Sequence, residues 1–484
     1  MTTLGMNINT LPNEILNQIL QEASDANTRE GVAWTYGLSQ ATDQLQKHRF
    51  ARHIRGVVSA DAQKWDSVSS IRGVCRSWHA WALSHALCDI YLRRWRGSER
   101  WAELTLQRNK YSFYELIDDL SGCAVYRDPY LELRQTGDLF HRYPSVASRV
   151  HRLWFSGYFT REAEALIAKV LRSCRYLEAI SVPWTMLRHG SAEDWRNLLG
   201  IAHQDDFPLQ SLELQAQCLP DHITNVSNIA VDRHSILDAK VDFGHLKRLK
   251  LFGNTTFMPI DDQDLATIAK TARNLEEFHV SCMSTVTIRG VVDIVKGAQQ
   301  TLRVLEHSPR SNDGFFHPDP GSVDPDEHIC DTLINCPKLK DLSISMPSMC
   351  SHLLGSEQVR WEGECQVRAL KLCDAGPTSK SRLESLRKVL DGARKLIDVQ
   401  RRKRRELDIE LFFADCIFDP RDCVVHGNFS LAQISSNGQW PYASASSCKG
   451  PYGSTGLYGK DEGDWEIVSE DEYLRAVEAG WITI

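Results

Sequence analysis

The chain has 484 residues, of which 42% are hydrophobic and 25% are charged, and its formal net charge is -7. This composition is typical of a globular protein with roughly two to four domains, and the acidic balance argues against a general nucleic-acid binder. No apolar run approaches the roughly 18 residues that cross a bilayer, and residues 1–10 lack the basic and apolar segments of a signal peptide. We therefore expect a cytoplasmic or nuclear protein that binds neither nucleic acid nor membrane.

Residues 11–24 (LPNEILNQILQEAS) are predicted to form a capped amphipathic helix. Pro12 suits the first helical turn, and Ile15, Leu16, Ile19 and Leu20 share one apolar face because of their helical spacing. Residues 25–66 lose this periodicity, which indicates a loop or an extended insertion.

Helical patterning resumes over residues 67–95. Ile71, Val74, Cys75, Trp78 and Trp81 fall on one stripe of such a helix, and residues 87–95 extend the pattern after a break. Helices this short bury little area alone, so a partner helix or the downstream chain must cover them. Residues 96–147 are interpreted as a linker or helical cap.

A six-residue pattern with apolar residues at positions 1, 4 and 6 recurs from about residue 148 onward. It is found at residues 150–155, 177–182, 209–214, 246–251, 275–280, 339–344 and 367–372, and residues 302–307 match positions 1 and 4. Amphipathic helical stretches lie between the segments, and a strand-plus-helix unit of about 27–29 residues is typical of a leucine-rich repeat. Residues 148–415 are therefore predicted to form an α/β solenoid, with parallel strands on the concave face and helices outside.

The same pattern predicts which way each strand side chain points. A period of two sends the apolar residues inward and leaves the side chain between them outside. The outward positions, which we expect to contact a protein partner, are Trp154, Ser181, Glu213, Arg248, Lys250, Glu277, His279, Asp341, Ser343 and Lys371. Their charges are mixed, so they indicate no single class of substrate.

Fourteen cysteines are scattered along the chain and form no C-x-x-C pair. In an intracellular chain we interpret them as reduced thiols packed as small apolar groups, rather than as zinc ligands or disulfides. Cys174, Ala272 and Cys336 each stand three positions before a repeated segment, where a small side chain lets helix and strand approach closely. The histidines show no metal-site spacing, and no phosphate loop or nucleophile motif is present. The sequence thus predicts no metal, no cofactor and no catalytic residue.

The C-terminal part contains a predicted helix at residues 381–400 and an apolar run at residues 407–418 that suits a last strand or cap. The basic residues 401–405 fit a nuclear-import patch or, more simply, a solvated helix end. Residues 416–484 form a C-terminal region in which residues 435–463 are rich in Gly, Ser and Tyr, a composition typical of poor order. A short helix is predicted near the end of the tail.

Residues 11–20 (LPNEILNQIL), together with residues 71–82 (IRGVCRSWHAWA), resemble the F-box. The matching residues are Leu11, Pro12, Glu14, Ile15, Leu16, Ile19 and Leu20 in the first half and Val74, Cys75, Arg76, Trp78 and Ala82 in the second. Residues 25–66 stand where the family usually has a short link, as is common in fungal-type members, and the whole module would span residues 8–95.

The resemblance implies a function. In that family the helices pack on a Skp-type adaptor, which is bound to a cullin and a RING subunit, and the remainder of the protein holds a ubiquitylation substrate. The residues expected to dock the adaptor are Leu11, Pro12, Ile15, Leu16, Ile19, Leu20, Ile71, Val74, Cys75, Trp78 and Trp81. Two alternatives remain open: a repeat scaffold with no ligase link, in which residues 11–95 are only a cap, and a hydrolase or transferase built from dispersed acids and histidines.

Overall fold

The structure is a computed structural model and describes residues 11–30, 68–93, 114–116, 124–126, 130–156, 158, 161–199, 208–215, 241–252, 260–283, 285–309, 321–323, 328–372, 379–405, 407–413, 417–418, 429–434 and 482–483. The chain divides into two compact units. The first comprises Met1–Arg52, Val57–Pro183 and Gly200–Leu209, and the second comprises His53–Gly56, Trp184–Leu199 and Gln210–Ile484.

The first unit combines helices with a parallel sheet. Its described helices are α1 (Asn13–Glu30), α2 (Ser69–Arg72), α3 (Arg76–Ala86), α4 (Leu131–Arg142), α5 (Pro144–Ala147) and α6 (Arg161–Arg172). Its described strands are β1 (Asp89–Arg93), β2 (Tyr114–Leu116), β3 (Ala124–Tyr126), β4 (Arg152–Ser156) and β5 (Ala179–Pro183). Strand β4 pairs in parallel with both β1 and β5, and β2 pairs with β3 in antiparallel fashion.

Two predictions about the N-terminal helices are corrected. Helix α1 continues past Ser24 to Glu30, so the start of the predicted insertion is helical; residues 31–67 lie outside the described residues. Residues 89–93 form strand β1 rather than an extension of the preceding helix, which ends at Ala86. Pairing along β4 gives Ile90 the half-buried, pleated surroundings that β-branched residues favour, and this overrides the helical spacing.

The second unit contains the longer parallel sheet. Its described strands are β6 (Ser211–Gln215), β7 (Arg248–Phe252), β8 (Glu277–Met283), β9 (Val304–Pro309), β10 (Asp341–Met349), β11 (Gly363–Leu372), β12 (Leu407–Phe413), β13 (Ile417–Phe418), β14 (Phe429–Ile434) and β15 (Ile482–Thr483). Strands β6 to β12 pair in sequence order and in parallel, and β14 is antiparallel to β12. Strands β13 and β15 form a separate pair.

Helices join the strands of the second unit. The described helices are α7 (Met186–His189), α8 (Ala192–Leu198), α9 (Asp262–Ala269), α10 (Ile288–Gly297), α11 (Ile329–Ile334), α12 (His352–Gly355) and α13 (Ser379–Arg402). Parallel neighbours require such crossovers because their ends lie at opposite edges of the sheet. The α/β class predicted from the sequence is confirmed, and no helix in the described part of the chain has both the length and the apolarity needed to span a membrane.

Seven of the eight repeated segments form a strand that begins at the third position of the segment. The exception is residues 367–372, which lie at the end of β11; the predicted register of this segment is wrong, because Ser343 pairs with Gln366 and not with Lys371. In the other seven segments, the first apolar residue lies before the strand and is buried in the turn, as Leu246, Leu275 and Leu339 show. The carbonyl of the residue just before one strand accepts hydrogen bonds from two successive N–H groups at the start of the next. Gln210 accepts from residues 247 and 248, Lys247 from residues 276 and 277, and Glu276 from residues 303 and 304. This recurring bond fixes the register between neighbouring strands.

The small residues before the strands pack as predicted. Cys174, Ala272 and Cys336 are all buried. The Cys174 thiol donates to the Val170 carbonyl at 3.6 Å and the Cys336 thiol to the Thr332 carbonyl at 3.3 Å. Burial raises the pKa of each thiol to about 12, so both remain protonated and unreactive.

The predicted C-terminal helix is confirmed as α13, and the apolar run at residues 407–418 forms β12 and β13. The expectation that this run ends the sheet is wrong, because β14 follows and pairs with β12. Residues 401–405 are exposed at the end of α13, where basic side chains favour the negative helix end. The Gly/Ser/Tyr-rich residues 435–463 and the predicted helix of the tail lie outside the described residues.

Candidate functional site

A small apolar core holds the N-terminal helices together. Leu16 and Leu20 of α1 pack with Val68, Ile71 and Ala82 from the segment that contains α2 and α3, and all five are buried. The indoles of residues 78 and 81 cover this core and are partly buried. Leu16 and Leu20 lie one turn apart, so a single side of α1 supplies its share of the core.

A different set of apolar side chains, on α1, on α3 and in the turn between α2 and α3, is exposed. Ile15 and Ile19 are 45% and 38% exposed on α1, Val74 is 55% exposed, and Leu83 of α3 is 42% exposed. We call these four residues the exposed apolar set. Single exposed apolar residues are ordinary, but Ile15 and Ile19 are one helical turn apart and therefore lie side by side.

The structure divides the residues predicted to dock an adaptor into three groups. Leu16, Leu20 and Ile71 are buried, so they support the fold rather than offer a surface; Leu11, Cys75, Trp78 and Trp81 are partly exposed; Pro12, Ile15, Ile19 and Val74 are exposed. The expectation that one apolar face of α1 carries all four of its aliphatic residues is wrong. The helix has two adjacent apolar stripes, one facing the core and one facing solvent.

A polar link between α1 and α3 was not predicted from the sequence. The Ser24 hydroxyl lies 3.1 Å from Nε2 of His85, and the imidazole stacks on the Trp81 ring with 4.8 Å between centroids. Burial lowers the pKa of His85, which favours the neutral ring. Ser24 is itself buried, so this contact fixes the end of the apolar core where α1 passes α3.

In the second unit, polar side chains cross the sheet in a single register. Glu213, Lys250, His279, Glu306, Ser343 and Gln366 are successive partners from β6 to β11. We call these six residues the polar row. All are buried, with His279 fully inaccessible. The neighbouring positions along the same strands, such as Leu249 and Val280, form the apolar core on the opposite face.

The charged side chains of the polar row pair with one another, and Ser281, two residues beyond His279 on β8, also contacts them. Lys250 Nζ lies 3.4 Å from Glu213 Oε2, and His279 Nδ1 lies 3.1 Å from Glu306 Oε2. The Ser281 hydroxyl donates to the other Glu306 oxygen at 2.7 Å. Buried charges are tolerated when they are paired and hydrogen-bonded in this way.

Two carboxylates set the protonation of His279. Burial would lower the pKa of His279, but Glu277, 3.8 Å from Nε2, and Glu306, hydrogen-bonded to Nδ1, outweigh burial and raise it. Burial would likewise raise the pKa of Glu277, but His279, whose Nε2 lies 3.8 Å from Glu277 Oε2, and the Arg248 guanidinium, which donates at 2.5 and 3.2 Å, lower it. The arrangement therefore favours an imidazolium held between two carboxylates.

Arg368 of β11 is fully buried beside the polar row. Its guanidinium donates to the Ser345 hydroxyl at 2.8 Å, to Gln366 Oε1 at 3.0 Å, to the His307 carbonyl at 3.0 Å and to the Ser343 hydroxyl at 3.2 Å. It thereby links strands β9, β10 and β11, because each strand supplies at least one of these groups.

The expectation that the alternate strand positions face solvent is wrong for most of the predicted contact residues. Trp154, Ser181, Glu213, Lys250, His279 and Ser343 are buried, whereas Arg248, Glu277 and Asp341 keep part of their surface. Parallel neighbours bring the charges into direct contact, and this pairing allows burial that isolated charges would resist. Lys371 lies opposite Ser348 in the register, and its side chain is outside the described set.

Three side chains that can ligate a metal also meet in the second unit. The ligand atoms of His328, Cys330 and Cys350 all lie within 4.8 Å of one another. The sequence prediction of no metal site depended on close Cys and His spacing, but residues 330 and 350 are separated by the whole of β10. The one local signal was the short H-x-C run at residues 328–330.

A scan against protein-family models gives no match, and a search of curated proteins gives none either. Any assignment of function therefore depends on the residues and contacts described above.

Proposed function

We propose that this protein is a non-catalytic substrate receptor of a Skp–cullin–F-box type ubiquitin ligase. In this proposal the N-terminal helices dock a Skp-type adaptor and the second unit holds a protein substrate. The observation that carries the proposal is the exposure of Ile15 and Ile19 on α1, the helix of the segment that resembles the first half of an F-box. An apolar stripe on a helix is a surface for helix-on-helix docking.

The N-terminal core supports this proposal because the residues that hold the helices together are different from those that face solvent. Leu16, Leu20 and Ile71 hold the helices together, so Ile15, Ile19 and Val74 remain available to a partner. Tryptophan is among the residues that contribute most to such interfaces, and the partly exposed Trp78 and Trp81 would extend the surface.

The body would then act by positioning. We propose that the strand-and-helix units form a leucine-rich-repeat-like solenoid, supported by the recurring hydrogen bond between the starts of successive strands. A substrate would contact the strand residues that keep exposed area, Arg248, Glu277 and Asp341. Holding a substrate near a ubiquitin-loaded enzyme raises its effective concentration without any chemistry from this chain.

A second candidate function is a repeat scaffold with no ligase link. Strand β1 favours it, because residues 89–93 pair along β4 and Asp89 Oδ1 lies 2.8 Å from Arg152 Nε. In that case the N-terminal segment caps the sheet and needs no adaptor.

Co-expression with a Skp-type adaptor distinguishes the two candidates. We expect the full chain to co-purify with the adaptor, and the double variant Ile15→Asp/Ile19→Asp to lose the complex because two charges enter an apolar interface. Asn17→Asp is the matched control: it adds a carboxylate to an exposed position of α1 roughly half a turn away from those isoleucines. If the chain forms no complex, the scaffold function stands instead. If the double variant binds like Asn17→Asp, docking through Ile15 and Ile19 is refuted.

A further inference from the structure

His328, Cys330 and Cys350 come from two separate parts of the second unit. His328 stands just before α11, Cys330 lies within that helix, and Cys350 directly follows β10. Their ligand atoms lie within 4.8 Å of one another, and neither cysteine is in a disulfide. The fold therefore brings together two thiols and one imidazole, the ligand types that zinc takes in proteins.

From this geometry we infer that the protein binds one zinc ion, or a similar thiophilic divalent cation, through His328, Cys330 and Cys350. Zinc–sulfur bonds of about 2.3 Å at tetrahedral angles put ligand atoms roughly 3.5–3.8 Å apart. Small side-chain rotations would close the observed separation. On binding, each thiol loses its proton to solvent and donates a sulfur electron pair to the metal.

The charge balance of this site suits its burial. Cys330 and Cys350 are 1% and 5% exposed, so a charge left there without compensation would be costly. Two thiolates and a neutral imidazole around a divalent cation sum to zero net charge. His328 is 40% exposed at its side chain, which gives the ion a route from solvent.

Asp331 is placed to orient the imidazole. Its Oδ2 lies 3.2 Å from Nδ1 of His328, the arrangement in which a carboxylate fixes the tautomer of a metal-binding histidine. Nε2 would then be the metal ligand, and Asp331 would be a positioning residue. With three protein ligands, the fourth position is left for water or for a group from a partner.

Two further buried cysteines lie outside this cluster. The thiols of Cys174 and Cys336 donate to a carbonyl of their own helix turn, and burial raises the pKa of both to about 12. They provide matched controls, since they are also buried but do not belong to the three-residue cluster.

The test is a Co²⁺ titration of the reduced, chelator-treated full chain, followed by displacement with Zn²⁺. We expect a thiolate-to-cobalt charge-transfer band that saturates at one equivalent, and we expect Cys330→Ser and Cys350→Ser to lose most of it. Cys336→Ser and Cys174→Ser should keep the band. Asp331→Asn should weaken Zn²⁺ binding roughly 10-fold or more.

The variant His328→Ala serves as a control for misfolding, because it alters a partly exposed side chain. Zn²⁺ should raise the unfolding midpoint of the wild-type chain, because a ligand of the native state stabilises it, and should raise that of His328→Ala much less. The inference is overturned if the reduced wild-type chain gives no thiolate–cobalt band. It is also overturned if the Cys330, Cys350 and His328 variants bind Co²⁺ with the spectrum and stoichiometry of the wild type.

Discussion

The exposed apolar set and the polar row distribute their side chains in opposite ways. On the N-terminal helices, isoleucines and a valine face solvent beside a small buried core. In the sheet of the second unit, lysine, glutamate and histidine side chains are buried and paired. Each departs from the usual preference of charge for the surface and of aliphatic groups for the core.

The difference shows where each region obtains its stability. The polar row pairs charged side chains with one another through strand register. The exposed apolar set has no such internal compensation, and a partner that covered it would gain the burial of apolar area, worth about 25 cal/mol per Å². A docking partner is therefore more strongly indicated at α1 than along the polar row.

The largest effect is expected from breaking a buried pair. Glu306→Ala should destabilise the second unit by about 3–5 kcal/mol, because it leaves a buried imidazolium with one carboxylate fewer. Urea unfolding followed by circular dichroism measures the loss.

An exposed pair with the same geometry provides the comparison. His151 and Glu178 also lie 3.1 Å apart, but their side chains are 38% and 57% exposed. Glu178→Ala should cost at most about 1 kcal/mol, because an exposed pair is screened by water. Equal losses for the two variants would contradict the internal pairing of the polar row.

Alanine substitutions at two adjacent residues of α1 should differ nearly as much in the stability that they remove. Leu20 is 2% exposed and Ile19 is 38% exposed. Leu20→Ala should destabilise the N-terminal helices by roughly 2–5 kcal/mol through the cavity that it leaves, whereas Ile19→Ala should change their stability by about 0.5 kcal/mol or less. Amide hydrogen exchange over residues 13–30 reports this local stability, and faster exchange in Ile19→Ala than in Leu20→Ala would refute the division into core and surface.

Burial of His307 should make the free energy of unfolding depend on pH. Burial lowers its pKa to about 4 from an ordinary value of 6.5, so between these values the unfolded chain binds a proton that the folded chain does not. Stability should fall as the pH drops through this range, by roughly 3 kcal/mol in total. His307→Gln should flatten that part of the curve in denaturant unfolding from pH 4 to 7, and an unchanged slope would show that His307 is not responsible.

His279 should change the pH dependence of stability with the opposite sign. Its folded-state pKa is raised because Glu277 and Glu306 outweigh burial. Its contribution is fully present below the unfolded value and is lost as the pH rises through the higher folded value. The stability difference between wild type and His279→Gln should therefore shrink from pH 6 toward pH 9; a difference that stays constant would mean that the imidazolium pairing adds nothing.

The sequence could predict the strands because a period-two ending at regular spacing is a local signal. Every repeated segment from residue 150 to residue 372 forms a strand. Residues 89–93 were predicted helical because their pairing with β4 is a contact between distant segments, and local spacing carries no information about it.

The candidate sites were predictable only in part. The motif identified the segments that contain Ile15, Ile19 and Val74, but it could not distinguish these exposed residues from the buried Leu16 and Leu20, since all are aliphatic. The pairing of His279 with Glu306 and the meeting of residues 328, 330 and 350 depend on strand register and on the path of β10. Neither is recorded in the order of residues along the chain.

The most direct test of the central claim is the dissociation constant between the purified chain and a purified Skp-type adaptor, measured by isothermal titration. The account predicts saturable one-to-one binding that weakens by about 30-fold or more in Ile19→Asp, equivalent to roughly 2 kcal/mol at an interface hot spot, and stays unchanged in Asn17→Asp. A wild-type chain that is well folded by hydrogen exchange over α1 and yet shows no binding would contradict it.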